Sequence, residues 1–252
     1  SRRLNTMVTM RAVIAATLVS LRAQLRPEDR LLVVADNCTD ATATIAREHG
    51  AEVTERHDPS RRGKGYALEW GVRHDAVRAT DVTIVVDADC FVEPHALPHL
   101  AAAAARGHAV QGDYRLVAPA GAPLGTRFTA FAVRLKNVAR LRGARRIGIP
   151  CLLTGSGMAF PRRALDQVSL GSGEIVEDLL LSVELALAGM PARFCGAARI
   201  VSPLPLDRAA AEGQRTRWER GYLSVARRFA WPLALGALRT GRGGPLGMAL
   251  DI

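Results

Sequence analysis

Lysine is almost missing from this chain: of 34 lysines and arginines, only Lys64 and Lys136 are lysine. No Lys-rich tract and no aromatic-studded basic strand occurs, so the net charge of +10 does not describe a nucleic-acid surface. Together with the alanine excess, the arginine-borne charge reads partly as coding bias. Cysteine is also sparse. Cys38, Cys90, Cys151 and Cys195 match no zinc spacing and form no disulfide framework, which points to a reducing compartment. No signal peptide and no apolar run long enough to cross a bilayer is found. His95 and His99 are four residues apart, but Pro98 intervenes and no third ligand is evident, which argues against zinc. Internal repeats and low-complexity linkers are missing too.

What is present is a chain of 252 residues with an ordinary apolar fraction, 48%, enough for one large α/β domain. Leu31 to Ala35 reads as a buried strand ending at Asp36-Asn37. Residues 40–49 then read as a helix capped by Gly50. A short strand near Ala51–Thr54 and a helix over about 64–78 follow. Residues 82–89, Val-Thr-Ile-Val-Val-Asp-Ala-Asp, form a second β-branched run that delivers two carboxylates at its end. An Ala-rich helix spans about 94–105. This alternation predicts a doubly wound sheet. Beyond it come a strand near 109–114, a helical stretch over 124–142, an apolar segment with small residues over 151–160, and a helix over 177–188 that is apolar on nearly every face.

Ligands of open α/β sheets bind beyond the carboxyl ends of the strands, where Asp36, Asp87 and Asp89 are expected. Two hard carboxylates on a tight turn suit Mg²⁺ or Mn²⁺ bridging to a diphosphate; a plain turn role is the alternative. Gly63-Lys64-Gly65 opens a helix and offers an anion site with an added point charge, although the Walker spacing is missing. Glu177-Asp178 opens the apolar helix, where Asp178 would otherwise serve only the helix dipole, worth about 0.3–1 kcal/mol. Gln214-Arg-Thr-Arg-Trp218 places an amide, guanidinium groups and an indole within about a turn and a half of helix. From Gln214 to Arg242, arginines interleave with Trp218, Tyr222, Phe229 and Trp231, a composition suited to an anionic membrane surface or to a solvated helix face with packed aromatics.

The ordered set Asp36, Gly-Lys64-Gly-Tyr-Ala-Leu, Asp87-Ala-Asp89, Glu177-Asp178 and Gln214-x-x-Arg217-Trp218 resembles the inverting family-2 glycosyltransferases, especially the processive branch of cellulose, chitin and hyaluronan synthases. The likeness covers roughly residues 11 to 225. It implies a GT-A-like, Rossmann-like fold with a mostly parallel central sheet flanked by helices. On that resemblance, Asp36 and Lys64 contact the nucleotide, and Asp87 and Asp89 hold the diphosphate of a UDP-sugar through the metal. Gln214 and Arg217 face the diphosphate, and Asp178 is the general base. Glu177, Trp218 and the turn containing Gly155 and Ser156 lie on the side of a saccharide or lipid-linked acceptor.

The family's Pro-Ala-His-Asn-Glu-like segment has no counterpart in Met7–Arg11, and no spanning segment follows Trp218, so the chain reads as a member shortened at both ends. The expected organisation is one domain. Residues 1–110 bind the donor, 111–225 bind the acceptor, and 226–252 form a basic amphipathic tail. The expected location is the cytoplasm, at the inner-membrane face if a membrane contact or membrane partner is used. A silent homologue that assists a membrane polysaccharide synthase and a sugar-nucleotide nucleotidyltransferase are the rival readings.

Overall fold

The computed structural model describes residues 10–171 and 176–204, with 221, 223–229, 231–232, 235 and 247–248. Helix α1 (Met10–Arg22) packs Ile14 and Leu18 against Ala46 and Ala51. Strand β1 (Leu32–Asp36), α2 (Thr42–Glu48) and β2 (Glu52–Arg56) form a βαβ unit whose strands pair in parallel. Gly50 closes α2 as expected: at φ +72° its N–H donates to Arg47 O at 2.8 Å, and Ala51 N–H reaches Ala46 O at 3.0 Å.

Next come α3 (Lys64–Val72), the short α4 (Asp75–Arg78), β3 (Val82–Val85), β4 (Phe91–Val92) and α5 (Ala96–Ala104). The single helix expected over 64–78 is split at Arg73–His74, where backbone bonds shorten to three-residue turns. β5 (Val110–Val117) leads into a continuous helical arm made of α6 (Leu124–Arg134), a π-helical stretch (Leu135–Arg140) and α7 (Leu141–Arg146). β6 (Met158–Pro161), α8 (Arg162–Leu165), α9 (Glu177–Leu187) and β7 (Arg193–Pro203) complete the described elements.

The larger sheet runs β3-β6-β5-β7-β4, and only its β5–β7 pair is parallel. The expected mostly parallel sheet is therefore corrected to a mixed one. Two short strands cause it: β6, inserted antiparallel between β3 and β5, and β4, which runs antiparallel to β7. Alternation along β6 divides the core. Ala159 faces Leu100 of α5, Val110 and Ile200, whereas Met158 and Phe160 face Leu181 and Leu185 of α9. Helix α9 is buried on its other side as well, with Leu179 and Val183 against Leu152, Val225 and Met248. Strands from both sides of residue 110 share this one sheet.

Candidate active site

β3 ends at Val85, and the following turn carries Asp87 and Asp89 out of the sheet. The turn is held from two sides. Thr17 Oγ1 of α1 donates to Ala88 O at 2.9 Å, and Asp87 N–H donates to Ser156 Oγ at 3.1 Å. Below Thr17, Ser20 Oγ accepts Val92 N–H, while Gln24 donates to Val92 O and accepts Leu97 N–H. These polar side chains, at helical spacing on α1 and just past its end, hold the chain from Ala88 to Leu97. Asp87 is partly buried and Asp89 exposed; with Cys90 they bring three potential ligand atoms within 4.8 Å of one another. Burial pushes the Cys90 thiol up to about 12, so it stays protonated beside Ser156.

Lys64, the first residue of α3, places its ammonium on Asp87 Oδ1 and on the carbonyl of Gly155, the latter at 2.5 Å. Burial works against that charge, but Asp87, Glu177 and Asp178 outweigh it and raise the lysine. Burial raises the Asp87 carboxyl, with Lys64 opposing. Asp178 is likewise raised by burial, with Lys64 opposing, and Glu177 is pushed up to about 7 by burial and then by Asp178. The structure thus brings Lys64, Asp87, Gly155, Glu177 and Asp178 together in one cluster, termed the cleft.

Gly155 is where this cleft requires glycine. Its φ is +92°, and a Cβ there would lie 3.5 Å from Asp178 Oδ2 and 3.6 Å from Lys64 Nζ. Ser156, expected on the acceptor side, is instead fully buried, its hydroxyl engaged by Asp87 N–H and Cys90. Its hydroxyl holds the turn that carries Asp87.

Two residues that sequence reasoning missed hold this loop. Gln111, fully buried in β5, accepts Thr154 N–H at 2.8 Å and donates to Ser156 O at 2.9 Å. Ser182 Oγ in α9 donates to Asp178 O at 2.7 Å and accepts Leu153 N–H at 2.7 Å, so it joins loop and helix. Neither belongs to a motif; Ser182 among the leucines of α9 was the one signal, and Gln111, in a strand with several polar residues, had none. The Thr17, Ser20 and Gln24 stripe had the same kind of signature.

Asp36 sits apart from this cluster in its contacts. Its carboxylate is paired with Arg56 at 2.5 Å and bonded to Asn37 at 3.1 Å. Arg56, 8% exposed on its side chain, lies 5.7 Å from the centroid of Tyr66, two residues after Lys64. Asn37 adopts φ 52° and accepts Asp58 N–H at 2.9 Å, which holds the loop after β2. Gln214, Arg217 and Trp218 lie outside the described residues. Of the basic C-terminal segment, Val225 and Met248 are buried against α9, whereas Leu223 and Trp231 are exposed. No helix among the described residues is long and apolar enough to cross a membrane.

This α/β unit, with an acidic pair just beyond strand β3 and a carboxylate at the mouth of α9, has the GT-A-like glycosyltransferase fold. The chain belongs to the glycosyltransferase-like family 2, whose family model matches residues 6–221. Uncharacterized glycosyltransferases of Mycobacterium tuberculosis and Mycobacterium bovis are each 34% identical to it over 160 residues, covering 59% of this chain and 71% of theirs. The glucosyl-3-phosphoglycerate synthase of Mycobacterium tuberculosis, solved with Mn²⁺ and UDP-glucose, is similar in fold. That likeness has a TM-score of 0.56 at 24% identity over 88% of this chain and 75% of that one. The chain spans 62% of a further solved mycobacterial protein, with a TM-score of 0.49 and 24% identity.

Proposed function

We propose that the chain transfers a glycosyl unit from a UDP-sugar to a hydroxyl of a saccharide or lipid-linked acceptor, with inversion at the anomeric carbon. One observation carries the reading: Lys64, whose ammonium bonds Asp87 at the end of β3, and Asp178 at the mouth of α9 both flank Gly155, where a Cβ would lie 3.6 Å from the ammonium and 3.5 Å from Asp178 Oδ2. A donor-side carboxylate and a candidate base thus share one cleft. The family membership and the UDP-glucose complex of the fold relative support the donor class. Neither supports the processive branch, and transfer of one or a few units is the reading we favour.

Mg²⁺ or Mn²⁺ is the cofactor we assign, held by Asp87 and Asp89. The donor set fits: two hard carboxylates, one partly buried and one exposed, leave positions for phosphate oxygens and water. Cys90 lies beside them, but a soft thiol suits a hard cation such as Mg²⁺ or Mn²⁺ less well than the two carboxylates. When bound, such an ion supplies positive charge to the diphosphate.

Asp178 accepts the proton of the acceptor hydroxyl as that oxygen forms its bond to the anomeric carbon. The bond from this carbon to the diphosphate oxygen breaks, and its electron pair leaves with the diphosphate. Burial makes Asp178 a better base, and a positioned base contributes about 10²–10⁴-fold. Lys64 adds a fixed positive charge beside the leaving group. In this reading Asp36, Gln214 and Arg217 contact the nucleotide and diphosphate, while Glu177, Gly155 and Trp218 border the acceptor. One-step displacement turns an α-linked donor into a β-glycoside. The halves before and after about residue 110 serve donor and acceptor across their common sheet.

Calorimetric titration of UDP, with Mn²⁺ and then with chelator, tests the donor site. Binding that requires the ion is expected, followed by an inverted product detected by NMR once an acceptor is found. No binding in either condition overturns the catalytic reading and leaves the silent-homologue one.

A further inference from the structure

The arm between β5 and β6 carries a surface that the cleft does not use. Leu124, Phe128, Phe131 and Leu135 are spaced four, three and four residues apart, which at about 100° per residue aligns them in one ridge. They are 78%, 69%, 57% and 49% exposed, and α6 buries none of its residues. Gly125, Thr126, Thr129 and Val133 make this segment a weak helix former, and helices in proteins ordinarily gain their stability by packing an apolar face. Here that face points outward. The arm is fastened at its other end, where Val138 and Leu141 pack with Cys151 and Phe194, and Arg142 bonds Asp113 at 3.2 Å.

The charge along the arm has one sign. Arg127, Arg134, Arg145 and Arg146 are exposed, and no Asp or Glu occurs between Asp113 and Asp166. We propose that the α6 ridge docks on an anionic lipid surface. Phe128 and Phe131 enter the boundary between headgroups and acyl chains, and Arg127 and Arg134 meet the headgroup phosphates. A narrow apolar ridge flanked by arginine, without acidic residues, is the composition of helices that lie in the membrane interface. A second copy of the chain fits poorly, because pairing two such faces brings the same arginines together. The inference goes beyond the proposed transfer and holds whichever hydroxyl accepts the sugar.

Co-sedimentation of the full chain with vesicles of phosphatidylglycerol and phosphatidylcholine, against phosphatidylcholine alone, tests it. Binding to the anionic vesicles only is expected, weakening as salt screens the arginines. Phe128→Asp with Phe131→Asp should reduce it by about tenfold or more while circular dichroism and UDP binding stay unchanged. Arg127→Gln with Arg134→Gln, which leaves the ridge in place, should also weaken it and flatten its salt dependence. Failure to bind anionic vesicles overturns the proposal, as does binding that both double variants leave intact. A concentration-dependent dimer that the Phe128/Phe131 variant disperses, without vesicle binding, assigns the ridge to a second copy instead.

Discussion

The cleft beyond β3 and the arm built on α6 place their side chains in opposite ways. In the cleft, Lys64, Asp87 and Asp178 are drawn inward and met by partners. Lys64 lies on Asp87, Asp178 accepts Leu179 N–H, and Gln111, Ser156 and Ser182 bond to the loops that carry them. On α6, apolar groups are turned outward while the helix buries none of its residues. Charges held against desolvation at a strand end are a reservoir for chemistry, since burial shifts their proton affinities. Apolar groups held against water on a helix face are a reservoir for association. Neither arrangement helps the fold by itself.

Substitutions that break this contrast should differ in kind as well as size. Asp178→Asn should lower the transfer rate by about 10²–10⁴-fold with UDP affinity nearly unchanged; steady-state kinetics beside calorimetry would expose a merely structural role as loss of both. Asp89→Asn, at an exposed position, should weaken metal-dependent UDP binding by more than about tenfold without moving the melting temperature. If binding is unaltered, Asp89 is not a ligand.

Gln111→Ala should act through the frame. It leaves Thr154 N–H and Ser156 O without their buried partner and should cost about 1–3 kcal/mol in denaturant unfolding, with a fall in activity that tracks the displaced loop.

Glu177 gives the contrast a pH signature. Its carboxyl, ordinarily near 4.5, is raised to about 7 in the fold by burial and by Asp178. Between those values the folded state holds a proton that the unfolded state has lost, so its contribution falls as pH rises and is level above about 7. Glu177→Gln should remove that slope and leave the protein on the order of 1 kcal/mol more stable than wild type at pH 8. Melting curves across pH would refute this if the two proteins run parallel. The smallest effect belongs to the arm. Phe128→Ser should change stability by no more than about 0.5 kcal/mol, because no packing is lost; a drop of several kcal/mol would mean the ridge is covered in the folded protein.

Much of this architecture was legible before folding was considered. Val and Ile runs announced β1 and β3, Gly50 marked the end of α2, and the all-apolar α9 was recognisable by its lack of a polar face. Strands β4, β6 and β7 were not. β4 and β6 hold two and four residues, too few to show a period, and β7 mixes arginine, glycine and alanine. They exist because neighbouring strands supply hydrogen bonds, so their signal lies in residues far away in the chain. The mixed order of the sheet went unread for that reason. In the cleft, residues that bear charge were visible by type and order, whereas those that orient them were not. A buried glutamine such as Gln111 has no local signature, and Arg56 drew no notice until β2 set it against Asp36.

The linear order of residues by itself determined where acidic groups follow strands, where a lysine opens a helix, and therefore which family the chain resembles. Those features depend on neighbours within a few positions, whose backbone preferences are local. Tertiary structure alone decided that Lys64 bonds Asp87 beside Gly155, with Asp178 on the other side of that glycine, and that Ser156 is buried. It alone decided, too, that the apolar stripe of α6 faces outward. Each of these is a matter of which distant surfaces meet, and that is set by packing the whole core at once.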